Sequence, residues 1–151
     1  YLIKHPEKRG QDLETTRKAC EKFRYTPVSI MNFVEGTRFT QAKHDQQKSK
    51  YTHLLTPKAG GAAFVLDAMG DTIETLVDVT IAYPGGAPSF WDFLCGRTRE
   101  VKVEIDTATI PEYLKGRDYA TDAEHRRNVK NWLAELWKAK DERLDRMLEQ
   151  S

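Results

Sequence analysis

The four residues Glu35-Gly36-Thr37-Arg38 combine the side chains that an anion site needs at adjacent positions. A glycine lets backbone amides approach a ligand, Thr37 offers a hydroxyl, and Arg38 offers a planar fork of donors that fits a phosphate. Ligands of open α/β sheets gather beyond the carboxyl ends of strands, and Val28 to Val34, just upstream, reads as such a strand. Spacing alone leaves a second reading open, an ordinary surface turn with an Arg–Glu pair. Further on, Lys58 follows Pro57 and could add charge to the same pocket or stand solvated at a helix start. His44 and His53 flank a polar stretch. A protonated imidazole there could reach a phosphate, but exposed bystanders are the simpler reading. Cys20 and Cys95 are far apart and have no Cys or His at ligand spacing, so reduced thiols fit better than a disulfide or a metal centre.

These groups need elements to hold them. Leu13, Thr16, Cys20 and Phe23 recur at helical spacing, which predicts a helix over residues 11–24. Val28 to Val34 is nearly all apolar, as in a strand buried on both faces of a parallel sheet. Gln41 to Lys50 is polar and predicts an exposed loop or a short surface helix. Ala59 to Met69 predicts a helix that Gly70 ends in the left-handed conformation, with Gly60-Gly61 allowing close packing. Leu76 to Tyr83 predicts a second buried strand, stopped by Pro84-Gly85-Gly86. Phe90, Trp91, Phe93 and Leu94 read as a compact apolar turn, and Glu100 to Asp106 alternates like an edge strand with one wet face. Thr121 and Glu124 have capping-box spacing before a long helix whose apolar stripe runs from Val129 through Trp132, Leu133, Leu136, Trp137 and Leu144 to Leu148. The expected fold is α/β, with a mostly parallel or mixed sheet flanked by helices, in one domain over residues 1–151.

The charge balance narrows the partners. With 24 basic and 23 acidic side chains the net charge is +1, so no global field draws the chain onto nucleic acid or an anionic membrane, and an anion site must be local. No apolar run reaches the roughly 18 residues of a membrane span. No Gly-x-Gly-x-x-Gly follows a strand, which disfavours a dinucleotide domain.

Phe33-Val34-Glu35-Gly36-Thr37-Arg38 resembles the third signature block of the glycerolipid acyltransferases, with Val34 where that block usually has proline. Leu54-Leu55-Thr56-Pro57-Lys58-Ala59-Gly60-Gly61 is similar to the fourth block. The stretches Leu13 to Arg24 and Phe39 to His44 resemble a bacterial branch related to lysophosphatidate acyltransferase, so the likeness runs through most of the chain.

The resemblance implies a glycerol-3-phosphate acyltransferase-like fold and transfer of a fatty acyl group from acyl-coenzyme A or acyl-carrier protein to a lysophospholipid hydroxyl, as from lysophosphatidate to phosphatidate. It implies no metal and no cofactor beyond the thioester co-substrate. By the same likeness Arg38 binds the acceptor phosphate with Thr37, Gly36 supplies the turn, Glu35 shapes the loop and can touch an acceptor hydroxyl, and Pro57 and Lys58 border the acyl and acceptor site. The family works at membranes, which implies a place at the bacterial inner membrane, facing the cytoplasm and attached through an upstream region. Its catalytic pair is a His followed five positions later by an Asp. Here Gly10, Ser49, Lys58 and Lys130 stand five positions after His5, His44, His53 and His125. The chain is therefore expected to be the carboxy-terminal part of an acyltransferase, inactive by itself. The alternative is a non-catalytic α/β module that binds phospholipid or a partner.

Overall fold

The computed structural model describes residues 28–70 and 72–149; the helix expected over 11–24 lies outside them. The polar stretch after the Arg38 loop forms a short surface helix, α1 (Gln41–Gln47), capped by the Thr40 hydroxyl, which accepts from Lys43 N at 3.4 Å. Helix α2 (Ala59–Met69) starts just past Pro57, as the sequence predicts. Strand β1 (Thr75–Ala82) is followed by the short helix α3 (Phe90–Leu94), where the sequence reads as a turn. Strand β2 (Lys102–Thr109), a 3-10 turn (Glu112–Leu114) and the long helix α4 (Ala123–Glu149) complete the order.

Three expectations are corrected. Val28 to Val34 is not a strand, and Met31 and Phe33 are 83% and 78% exposed. An apolar run becomes a strand only where a neighbour takes its backbone groups, and no described residue pairs with this one in a sheet. The sheet of the described residues is antiparallel, not parallel: β1 pairs with β2 in the register Val79 to Ile105. No crossover helix returns the chain between these strands; the turn at Tyr83–Gly86 and α3 reverse it, which makes a hairpin. Gly70 is right-handed (φ −53°), not left-handed. Its lack of a side chain serves close approach instead, because a Cβ there would lie 2.9 Å from Lys115 Cβ.

The faces of the hairpin are also inverted relative to the expected pattern. Asp78, Thr80, Glu104 and Asp106 lie on the side that meets α4, while Val77, Val79, Ile81, Val103 and Ile105 are exposed on the other. Arg143 of α4 accounts for the first face: its guanidinium lies 3.3 Å from Asp78, 3.6 Å from Glu104 and 2.8 Å from Asp106, and donates to Thr80 Oγ1 at 3.3 Å. Lys140 adds a short contact to Asp78. The carboxylates are turned inward because two helix cations stand there to receive them.

The core is arranged along α4 in two clusters. Ala59, Ala63 and Leu66 of α2 pack with Ile110, Leu114, Val129 and Leu133 in one, and Tyr51, Leu54 and Ala82 pack with Trp137, Leu144 and Met147 in the other. Val34 packs against both. The buried stripe of α4 repeats every three or four residues, and it includes His125 and Asp141 as well as the apolar positions. Asp122, not Thr121, caps the helix: its Oδ1 accepts from Glu124 N at 2.9 Å and His125 N at 3.0 Å, while Thr121 donates to Asp118.

Removing Arg143 should loosen the hairpin from α4. A hydrogen bond between charged groups contributes roughly 1.5 to 3 kcal/mol, and Arg143→Met leaves the carboxylate face with Lys140 alone. A loss of about 2 kcal/mol in urea unfolding is expected for Arg143→Met, and an unchanged midpoint would show that the network contributes nothing.

Candidate functional site

The Arg38 loop begins with a tight turn in which Gly36 N donates to Phe33 O at 2.9 Å and Gly36 takes φ +68°. That left-handed backbone is strained for any residue with a Cβ. The turn is joined to the second block, since Lys58 N donates to Val34 O at 2.8 Å. The two blocks recognised separately in the sequence therefore meet in space. The Lys58 ammonium lies along the turn, 3.4 Å from where a Gly36 Cβ would sit, and the Asn32 side chain lies 3.2 Å from the corresponding point at Gly61. Pro57, half-buried, leads into this crossing.

Glu35 and Arg38 face different surroundings. Glu35 is half-buried, and burial pushes its carboxyl above the usual 4.5 despite opposition from the Leu55 backbone hydrogen bond, the Lys140 charge and the Trp137 indole. The same indole donates to Leu55 O at 3.1 Å. Glu35 is thus held toward α4 and the second block. Thr37 and Arg38 are exposed, and no described residue pairs with the Arg38 guanidinium.

Lys43 is the residue that sequence reading missed. From α1 its Nζ donates to Thr37 Oγ1 at 2.7 Å and to Arg38 O at 3.1 Å, so it ties the loop to α1. The signal was faint, because a lysine in a polar stretch of mixed charge reads as solvated until the helix turns it back. Lys43 and Lys58 both reach the turn that carries Arg38, and burial raises the pKa of the Glu35 carboxyl in it. Such a collection can receive an anion.

The histidines are pins, not bystanders. His44 Nε2 lies 2.6 Å from Tyr51 O, a contact that raises its pKa above 6.5 and fixes α1 to the segment before the second block. His53 Nε2 lies 2.7 Å from Asp145 Oδ1, and His125, fully buried, lies 3.0 Å from Asp67 Oδ1. Asp141 accepts from Thr52 N at 2.7 Å and His53 N at 2.8 Å, so the His53 contact belongs to the docking of residues 51–55 on α4. Among the described residues no group of three His, Cys, Asp or Glu side chains could hold a metal ion, and no helix is long and apolar enough to cross a membrane. Cys95 is exposed and unbridged.

No family model matches the chain, and no solved structure matches it. Curated relatives do match, among them lysocardiolipin acyltransferase 1 of Danio rerio, 28% identical over 135 residues, and lysocardiolipin acyltransferase 1 of Gallus gallus, 24% identical over 135 residues. The chain is similar to lysocardiolipin acyltransferases. The likeness covers 82% and 83% of this chain but 32% and 34% of those proteins, so the chain spans about a third of the length of the curated relatives it matches.

The Glu35 environment sets a pH dependence. A carboxyl whose pKa is raised by folding binds its proton more tightly in the native state, so it lowers stability as pH rises from its ordinary 4.5 through its native value, and the loss is complete above that. Glu35→Gln removes the ionisation while keeping the shape. The variant should gain melting temperature relative to wild type as pH is raised from acid to neutral, with no gain at the acid end. Parallel pH profiles of the two melting curves would show that burial does not perturb Glu35.

Proposed function

We propose that this chain carries the acceptor-binding part of a lysophospholipid acyltransferase and that Arg38, with Thr37, Gly36 and Lys43, holds the acceptor phosphate. The observation that carries this reading is the junction of the two blocks by the Val34–Lys58 backbone hydrogen bond, in a loop where the exposed Arg38 guanidinium has no described partner and Lys43 and Lys58 reach the same turn. Lys58 extends the positive rim, and Pro57 shapes the entry to it. Glu35 holds the loop to α4. The transfer joins the acyl carbonyl of a thioester, acyl-coenzyme A or acyl-carrier protein, to a free hydroxyl of the acceptor and releases the thiol; it needs a base on that hydroxyl. No histidine of this chain has the family's spacing to an aspartate, so the base comes from outside residues 1–151. Lysophosphatidate is the simplest acceptor, and lysocardiolipin, named by the relatives, shares its phosphate next to an acyl-bearing glycerol. The resemblance to the bacterial branch supports a site of action at the cytoplasmic face of the inner membrane.

The missing His–Asp spacing also favours a second reading, a phospholipid-binding module without catalysis. Activity of the intact enzyme separates the two. In it, Arg38→Ala should lower acceptor efficiency about ten- to a hundredfold, the worth of a charge-assisted hydrogen bond of roughly 1.5 to 3 kcal/mol. Thioester binding and melting should hold. Arg38→Lys keeps the charge but loses the fork, so it should fall between wild type and Ala. Equal acceptor efficiency of wild type and Arg38→Ala would remove Arg38 from the site. Purified residues 1–151 alone should show no acyl transfer with acyl-coenzyme A and lysophosphatidate, and turnover by that chain would overturn the division of labour.

A further inference from the structure

The connection between β1 and β2 exposes a cluster of aromatic side chains. Phe90, Trp91, Phe93 and Leu94 of α3 are 70%, 69%, 66% and 56% exposed. They are nevertheless held in a fixed form. The Ser89 hydroxyl accepts from Asp92 N at 3.1 Å, Asp92 accepts in return from Ser89 N at 3.2 Å, and Arg97 closes on Asp92 at 2.9 Å. Local hydrogen bonds thus keep a five-residue helix formed while its apolar side chains stay out of the core. Exposed apolar groups of this size mark a contact surface.

Area and charge together indicate the occupant. Aromatic side chains cover about 150 to 250 Å² each, so the exposed part of this tip offers on the order of 500 Å². A stable protein interface takes about 800 Å² from each partner. A lipid surface sets no such minimum, favours Trp at the headgroup level, and takes Phe and Leu at the headgroup–acyl boundary. Asp92 is neutralised by Arg97, and Glu100 lies 3.9 Å from Lys102, which leaves Arg99, exposed and without a described partner, as the uncompensated charge of the rim. The rim is positive. We propose that the α3 tip seats in the headgroup region of an anionic lipid surface, with Trp91 and its phenylalanine neighbours inserted and Arg99 on the lipid phosphates. This contact is additional to any upstream attachment. Its root is informative: Ala82, at the end of β1, shares a cluster with Tyr51 and Trp137, and Val34 beside Glu35 packs against that cluster. A seated tip therefore anchors the same packed unit that carries the Arg38 loop.

The test is optical and independent of acyl transfer, so failure of the enzyme reading leaves it intact. The intact protein is mixed with vesicles of phosphatidylcholine and phosphatidylglycerol carrying brominated acyl chains, and the Trp91 signal is taken as wild type minus Trp91→Phe. That signal should be quenched and shifted to shorter wavelength, more strongly than with phosphatidylcholine alone. Phe90→Ser combined with Phe93→Ser should weaken the quenching titration by about tenfold or more, as expected for two lost aromatic insertions. The melting curve of the double variant should stay in place. A Trp91 signal indifferent to vesicles would overturn the proposal, and equal quenching by neutral lipid would overturn its anionic part. A concentration-dependent dimer in light scattering, abolished by Trp91→Ser while vesicles have no effect on Trp91, would assign the tip to a second copy of the chain instead.

Discussion

The segment between α1 and α2 crosses the molecule without regular structure, and several of its backbone groups are met by one helix. Irregular backbone in a packed interior leaves donors and acceptors unsatisfied unless side chains meet them, at a cost of about 1 to 3 kcal/mol each. Helix α4 provides that partner. Asp141 takes the amides of Thr52 and His53, Trp137 donates to Leu55 O, and the Tyr51 hydroxyl returns a 3.4 Å bond to Ala134 O. Once residues 51–55 are fixed, the Leu55 backbone meets Glu35 and Lys58 N meets Val34 O, so the loop bearing Arg38 takes its position from a helix far away in sequence.

The same dependence explains what could be read in the sequence and what could not. Helix α2, strand β1 and the α4 stripe carry their own periodicity, and each forms where the pattern places it. Val28 to Val34 has an apolar run but no period that separates a strand from an extended chain lying on a core, and only the absence of a described pairing strand decides between them. The inversion of the hairpin faces was hidden for a related reason. Alternation in Glu100 to Asp106 tells that two faces differ, but which of them turns inward depends on Arg143 and Lys140, some forty residues downstream. His125 and Asp141 escaped because a polar residue on an apolar stripe is visible only as a gap; their partners Asp67 and the Thr52 and His53 amides come from other segments.

The site was legible as two blocks but not as a balance of charges. Arg38 and Lys58 stood out by type, whereas Lys43 owes its position to the helix cap at Thr40, which bends the chain back so that the ammonium reaches Thr37. Glu35 is the carboxylate of this loop. Its burial works against ionisation, and the Lys140 charge that opposes this belongs to α4 and not to the loop.

The two exposed apolar surfaces of the hairpin call for different coverings because their chemistry differs. Val77, Val79, Ile81, Val103 and Ile105 form a face of β-branched side chains in cross-strand register, the kind of surface that packs against another layer of protein. The α3 tip is aromatic, too small for a protein partner of its own, and stiffened by a capping box that serves no core contact. Had the tip been destined for the interior, its packing would hold it and the reciprocal Ser89–Asp92 bonds would add little. Their presence at a site where the side chains face outward is what a fixed wedge requires: insertion into an interface loses less conformational entropy when the backbone is ordered beforehand. Order in α3 is therefore supplied locally, order in the Arg38 loop is supplied by α4, and the cluster containing Ala82 and Trp137 joins the two into one packed unit.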